Sequence, residues 1–137
     1  MPTIAHLEPI QNTTYEPGVC NIGPAEIARR RRSGHIGVAA SVVVLSVLLA
    51  VGAPHWTRLF LILTGGVAAS GYLQAVLHFC AGFGSTGIYN FGPVGNIERV
   101  EDAQARRRDR VRSMQIGLLS LAIGLLVGIA AYAIPIR

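Results

Sequence analysis

From Gly34 to Ala53, from Leu59 to Gly82 and from Ser113 to Ile134 the chain carries no Asp, Glu, Lys or Arg. A helix of about 20 residues rises roughly 30 Å at 1.5 Å per residue, the thickness of a bilayer's hydrocarbon core. Three uncharged helices of that length would leave a soluble domain with almost no polar face. The expected fold class is therefore an all-α membrane protein with three transmembrane helices. Residues 1–33 form a polar arm and basic helix, and 34–82 a hairpin with spans near 34–53 and 59–82. Residues 83–112 form a Gly/aromatic loop and an Arg-rich amphipathic helix, and 113–137 the third span with a short tail.

The charges orient this arrangement. Lys+Arg number 12 against 7 Asp+Glu, and every basic residue is an arginine. Ten of them (29–32, 99, 106–108, 110 and 112) lie on the side that holds the N-terminus, and only Arg58 and Arg137 on the other. The positive-inside rule then places the N-terminus in the cytoplasm and the C-terminus outside, in a prokaryotic inner membrane. Arginines that gather where apolar runs begin suit anionic lipid headgroups, with Arg29, Arg30, Arg31, Arg32, Arg106, Arg107 and Arg108 as the surface residues. Nucleic acid is not the expected partner. The first 33 residues hold no apolar run of signal-peptide length, so the first insertion signal is expected to be the helix after Arg32. The Asn12-Thr13-Thr14 sequon would go unmodified on the cytoplasmic side.

Local signals refine the boundaries. Pro24 reads as the first residue of a helix, with Glu26 well placed in its first turn. That helix is expected to bend at Ser33-Gly34 as it enters the first span, which Pro54 ends. Trp56 suits the membrane interface as an anchor. The loop from Gly82 to Gly95 would fold against the membrane surface through Phe83, Tyr89 and Phe91. A faint repeat links Val19-Cys-Asn-Ile22, an acid and Ala28-Arg-Arg-Arg31 to Val94-Gly-Asn-Ile97, acids and Ala105-Arg-Arg-Arg108. It reads either as a duplicated unit or as the ordinary basic flank of a span.

Few residues promise chemistry. Gly117, Gly124 and Gly128 in the third span, and Gly66 and Ser70 in the second, let helix backbones approach closely. Gln74 and His78, four apart, would share one helix face and need polar partners. His78, with His35 as the nearest second imidazole, is a weak cofactor candidate; otherwise the pair serves interhelical hydrogen bonding. Cys20 and Cys80 are brought to the same membrane side, where a disulfide would not persist. Nearby arginines would favour their thiolates. They read either as a thiol or metal site or as buried space-fillers.

Asn21-Ile-Gly23, Glu26, Arg29-Arg30, Gly34 and a closing Phe79-Cys80-x-x-Phe83-x-x-x-Gly87-Ile88 are similar to the YgaP-like inner-membrane transmembrane domain family. The resemblance covers about residues 20–90. Ala81 stands where the family usually has proline, and Glu26 where it has aspartate. The resemblance implies a small membrane hairpin that tends to dimerise, and draws attention to Cys80; it supplies no reaction.

Taken together, these features point to a non-enzymatic protein with no cofactor. It would act by helix association, as an accessory subunit of a larger membrane complex or as a homo-oligomer. Sulfur handling or redox chemistry through Cys20 and Cys80 is one alternative, and an oligomeric small-solute channel another.

Overall fold

The computed structural model describes residues 14–136. Residues 1–13, with the sequon at Asn12, and Arg137 lie outside the described residues. The chain order is α1 (Pro24–Ala50), a 3-10 helix (His55–Phe60), α2 (Leu61–Val76), the short α3 (Ala81–Thr86), strands β1 (Ile88–Tyr89) and β2 (Glu98–Arg99), and α4 (Ala103–Ala133). Three helical stretches are long and apolar enough to cross a membrane: Pro24–Ala50, His55–Val76 and Ala103–Ala133, whose best windows have mean hydropathies of 2.0, 1.6 and 2.3.

Pro24 does open α1, on Gly23 as N-cap, with Glu26 in the first turn. The helix runs unbroken through Ser33-Gly34, so the basic segment and the first span are one rod. Gly52, at φ +62°, stops it before Pro54 can. The Ala53 N–H reaches the Leu48 carbonyl at 2.9 Å and the Gly52 N–H that of Leu49 at 3.2 Å, the paired bonds of a Schellman ending. The other basic segment behaves likewise. Asp102 caps α4 by accepting the Ala105 N–H at 2.9 Å, and the arginine-rich turns continue directly into the third span.

The second span is shorter than expected. α2 ends at Val76, and His78 adopts φ +53°, a conformation L-residues avoid. The chain then turns into α3, capped by the Cys80 side chain, which accepts the Phe83 N–H at 3.5 Å. Gln74 stabilises this break, because its side-chain oxygen accepts the Ala81 N–H at 2.9 Å.

α2 is the central helix. α1 and α4 pack on its two sides and barely touch each other. Small residues set both contacts. A Cβ added to Gly71 would collide with the Gly34 backbone, and one at Gly37 would come within 2.5 Å of the Ala68 nitrogen. On the other side, a Cβ at Gly124 would lie 2.6 Å from the Ile62 carbonyl, and one at Gly128 would collide with the Ile62 side chain. Close approach gains dispersion contacts that larger residues would forbid. Gly66 faces Gly124 in the same seam. Two expected packing residues behave differently. Gly117 has nothing within 4 Å of its missing side chain, because it points out from the bundle. Ser70 serves its own helix, its hydroxyl accepting the Gln74 amide at 2.7 Å. Between α1 and α4, over α2, a cavity of about 300 Å³ is floored by Gly65, Ala68 and Ala69 and walled by Val42 and Val127.

Candidate functional site

The basic ends of α1 and α4 meet the segment before α1 and the loops between α3 and α4. Together these form a polar core that the uncharged apolar stretches do not have. Its centre is Asn21, fully buried. The Asn21 amide donates to the Cys80 carbonyl at 3.0 Å, while its oxygen accepts the Cys80 N–H at 2.6 Å. Its backbone N–H donates to the His78 carbonyl at 3.2 Å and its carbonyl accepts the Asn90 N–H at 3.0 Å. Buried backbone groups must be paired, and one asparagine does so for the break after α2.

Asn90, also fully buried, repeats the device on the loop. Its side-chain oxygen accepts the Gly92 N–H at 2.9 Å, and its amide donates to the Pro93 carbonyl at 2.9 Å and to Glu26 Oε1 at 3.4 Å. Glu26 is entirely covered, with Arg29 and Arg30 nitrogens 3.8 and 3.7 Å from Oε2. Those separations are ion pairs without hydrogen bonds, and Oε2 has no hydrogen-bond partner. The Arg30 guanidinium lies 5.8 Å above the Phe83 ring.

A second buried carboxylate, Asp109 on α4, holds the preceding segment. It accepts the Tyr15 hydroxyl and the Gly18 N–H, each at 2.7 Å. Pro17-Gly18 form a tight turn, with Gly18 at φ +71° and the Val19 N–H bonded back to Glu16 at 3.0 Å. Tyr15 stacks on Tyr89 with centroids 4.7 Å apart, and Phe91 leans on Tyr89 at 6.1 Å. Tyr89 and Phe91, two of the three aromatics expected at a membrane surface, pack together, and Tyr89 packs on the segment before α1. Burial, and then the Asp109 carboxylate, push the Tyr15 phenol well above its ordinary range.

Both cysteines are inside this core, each 1% exposed. Burial pushes the Cys20 thiol up, opposed by the Ile22 backbone contact and reinforced by Glu16. The net effect is opposite to the expected favouring of its thiolate, with burial as the largest cause and no arginine among the causes. Cys80 is not in a disulfide and uses its sulfur as a helix cap. His78 is exposed and outside α2, so it does not share a helical face with Gln74. His35 is exposed on α1, its Nδ1 2.6 Å from the Tyr72 hydroxyl. Among the described residues no three His, Cys, Asp or Glu side chains come together in a metal-binding group.

The arginines divide. Arg29, Arg31, Arg32, Arg107 and Arg108 are exposed. Arg106 turns inward, donating to the Val100 and Glu101 carbonyls at 2.9 Å each, and so fastens the loop before α4. At the opposite end Trp56 is exposed beside Phe60, as an interface anchor would be. Arg58 is only 2% exposed, donating to the Ile134 carbonyl at 2.7 Å and the Ile136 carbonyl at 2.6 Å. It thereby ties down the segment after α4, and a longer contact to the Ala131 carbonyl at 3.5 Å reaches the last turn of the helix itself.

No protein-family model matches the chain, and no curated protein or solved structure matches it. The residues that carry the resemblance noted in the sequence divide between the core and the surface. Asn21, Ile22, Gly23, Glu26, Gly34, Phe79, Cys80 and Gly87 are buried, all but Gly34 and Gly87 at or beside the Asn21 hub, whereas Arg29 is exposed and Arg30, Phe83 and Ile88 are half-buried. Sequence reasoning missed Asn21, Asn90, Asp109, Tyr15 and the inward role of Arg58. Asp109 stood out in one respect only, as the lone acid in an arginine run.

Proposed function

We propose that this is an integral membrane protein of the prokaryotic inner membrane that acts by helix association, within a larger membrane complex or with copies of itself. Its N-terminus lies in the cytoplasm and its C-terminus outside. The observation that carries this reading is the arrangement of the spans around α2. α1 and α4 grip α2 but leave a small-residue cleft open between them, and large apolar side chains such as Val43, Leu63 and Leu126 face outward. In a bilayer, small residues at an open seam let another helix approach closely. The polar core supports the same reading, since its buried groups are spent holding backbone in place. The exposed arginines at that end suit the inner leaflet.

Extraction from native membranes in mild detergent, with mass determination and mass spectrometry of what co-elutes, tests the reading. Stoichiometric partners or a defined oligomer are expected; a lone monomer at every detergent concentration overturns it. Reporter fusions at each terminus test the orientation, which fails if the C-terminal fusion is active only in the cytoplasm.

A further inference from the structure

Beside the polar core, the Pro17-Gly18 turn and the second and third turns of α4 enclose a cleft of about 340 Å³. Arg107, Arg108 and Arg112 line it, with Val111 and Gln115 below them. Arg108, Arg112 and Gln115 follow the i, i+4, i+7 spacing of one helix face. Continuing down α4, Leu118 and Leu119 are exposed. The cleft therefore has a cationic mouth and an apolar path leading away from it.

Among the described residues no acid forms an ion pair with the charge in this mouth. Asp109, next to Arg108 in the chain, is fully buried with its two oxygens taken by Tyr15 and Gly18, and Glu16, next to Pro17, makes no ion pair with the cleft arginines. Among the described residues the ion pairs are those of Glu26 with Arg29 and Arg30, so none involves the three cleft arginines. The Nε of Arg112 is shielded from solvent and has no hydrogen-bond partner. A phosphate, which a guanidinium meets with parallel hydrogen bonds, is the anion that these unpaired arginines fit best. Gly18 lets the turn sit close against α4. A Cβ there would stand 3.3 Å from the Arg108 Cβ, and φ +71° disfavours any larger residue.

We propose that this cleft binds the phosphate of an anionic phospholipid, held between Arg108 and Arg112, with its acyl chains running along α4. The proposal rests on the reading that α4 crosses the membrane, and it goes further: it assigns one built site, where a diffuse basic surface would hold lipid nowhere in particular.

The test uses the full chain in nanodiscs of mixed phosphatidylglycerol and phosphatidylcholine, followed by native mass spectrometry of lipids retained in neutral detergent. Retention of phosphatidylglycerol over phosphatidylcholine is expected. The Arg108→Gln/Arg112→Gln variant should lose on the order of tenfold or more of that preference, given what each arginine contributes at an anionic surface. Arg31→Gln/Arg32→Gln, which removes the same charge from exposed positions on α1, should cost clearly less, since it takes away only diffuse attraction to the anionic surface. Equal losses in the two variants would show diffuse attraction and overturn the site. Displacement by inorganic phosphate as effective as by phosphatidylglycerol would assign the cleft to a free anion and overturn it too. A wild-type chain that enters nanodiscs and retains no phosphatidylglycerol refutes the site alone, and needs no variant to do so. A chain that never enters them refutes the membrane reading, and the site with it.

Discussion

Tyr15 donates its hydroxyl to the Asp109 carboxylate at 2.7 Å, joining positions 94 residues apart in the chain. The bond fixes the segment before the first span to the helix that carries the last. A hydrogen bond to a charged acceptor contributes more than a neutral one, roughly 1.5–3 kcal/mol. Tyr15→Phe should lower stability by about that amount, and Asp109→Ala by more, since it also frees the Gly18 N–H. Melting temperatures in detergent and proteolysis of the N-terminal segment would show it. Unchanged protection in both variants would mean that the stacked ring of Tyr89 alone holds the segment.

The same pair predicts an alkaline limit. The folded Tyr15 phenol has a raised pKa, so its contribution is complete below the ordinary tyrosine value of about 10 and is lost as pH rises through the higher folded value. Segment protection should therefore hold through neutral pH and weaken only above about 10. Ultraviolet titration of a Tyr89→Phe chain would follow this, as Tyr89 is also raised, mainly by its hydrogen bond to Glu98. A Tyr15 that ionises like a free tyrosine would contradict the burial described.

Asn21→Asp keeps the size and removes the donor. A carboxylate cannot give a hydrogen to the Cys80 carbonyl, and it brings a charge into a covered site. A loss of roughly 2–5 kcal/mol is expected, most of it from groups left buried and unpaired. Maleimide labelling offers a second readout. Both thiols should react slowly in the native wild type and quickly in the variant, and fast labelling of the native wild type would argue for an accessible thiol site.

Glycine substitutions should separate two kinds of position. Gly71→Leu and Gly124→Leu drive a side chain into a neighbouring backbone and should each cost about 1–3 kcal/mol or more. Gly117→Leu meets open space and should leave the monomer's stability unchanged. Its effect, if any, would appear in the oligomeric state seen on a native gel. A collapse of the fold on Gly117→Leu would refute the packing described here.

Arg58→Met should loosen the end of α4, exposing the amides near Ala131 to hydrogen exchange. Arg58→Lys should rescue it only partly, because one ammonium cannot span the two carbonyls that the guanidinium fork reaches.

The apolar rods were legible because a bilayer imposes one length and one composition on a spanning helix. Pro24 and Glu26 marked a helix start for local reasons, and so they were legible too. The end of α2 was not, because Leu77, His78 and Phe79 are compatible with a helix; what turns the chain there is Asn21, almost sixty residues away. The same holds for Asp109 and Arg58, whose roles depend on backbone groups at a distance. Arginines were counted by their side of the bilayer, and that count cannot tell Arg106, which ties a loop, from Arg107, which faces out.

The order of synthesis gives the Asn21 hub a further consequence. The segment from Tyr15 to Gly23 leaves the ribosome before any span, yet its partners are Cys80, Asn90 and Asp109. It must wait, unpaired, until the loop after α2 and the first turns of α4 have been made. A chain cut short before Asp109 would present a loose, polar leading segment to proteases, whereas a finished chain hides it. A segment translated ahead of α1 thus reports whether α4 has arrived.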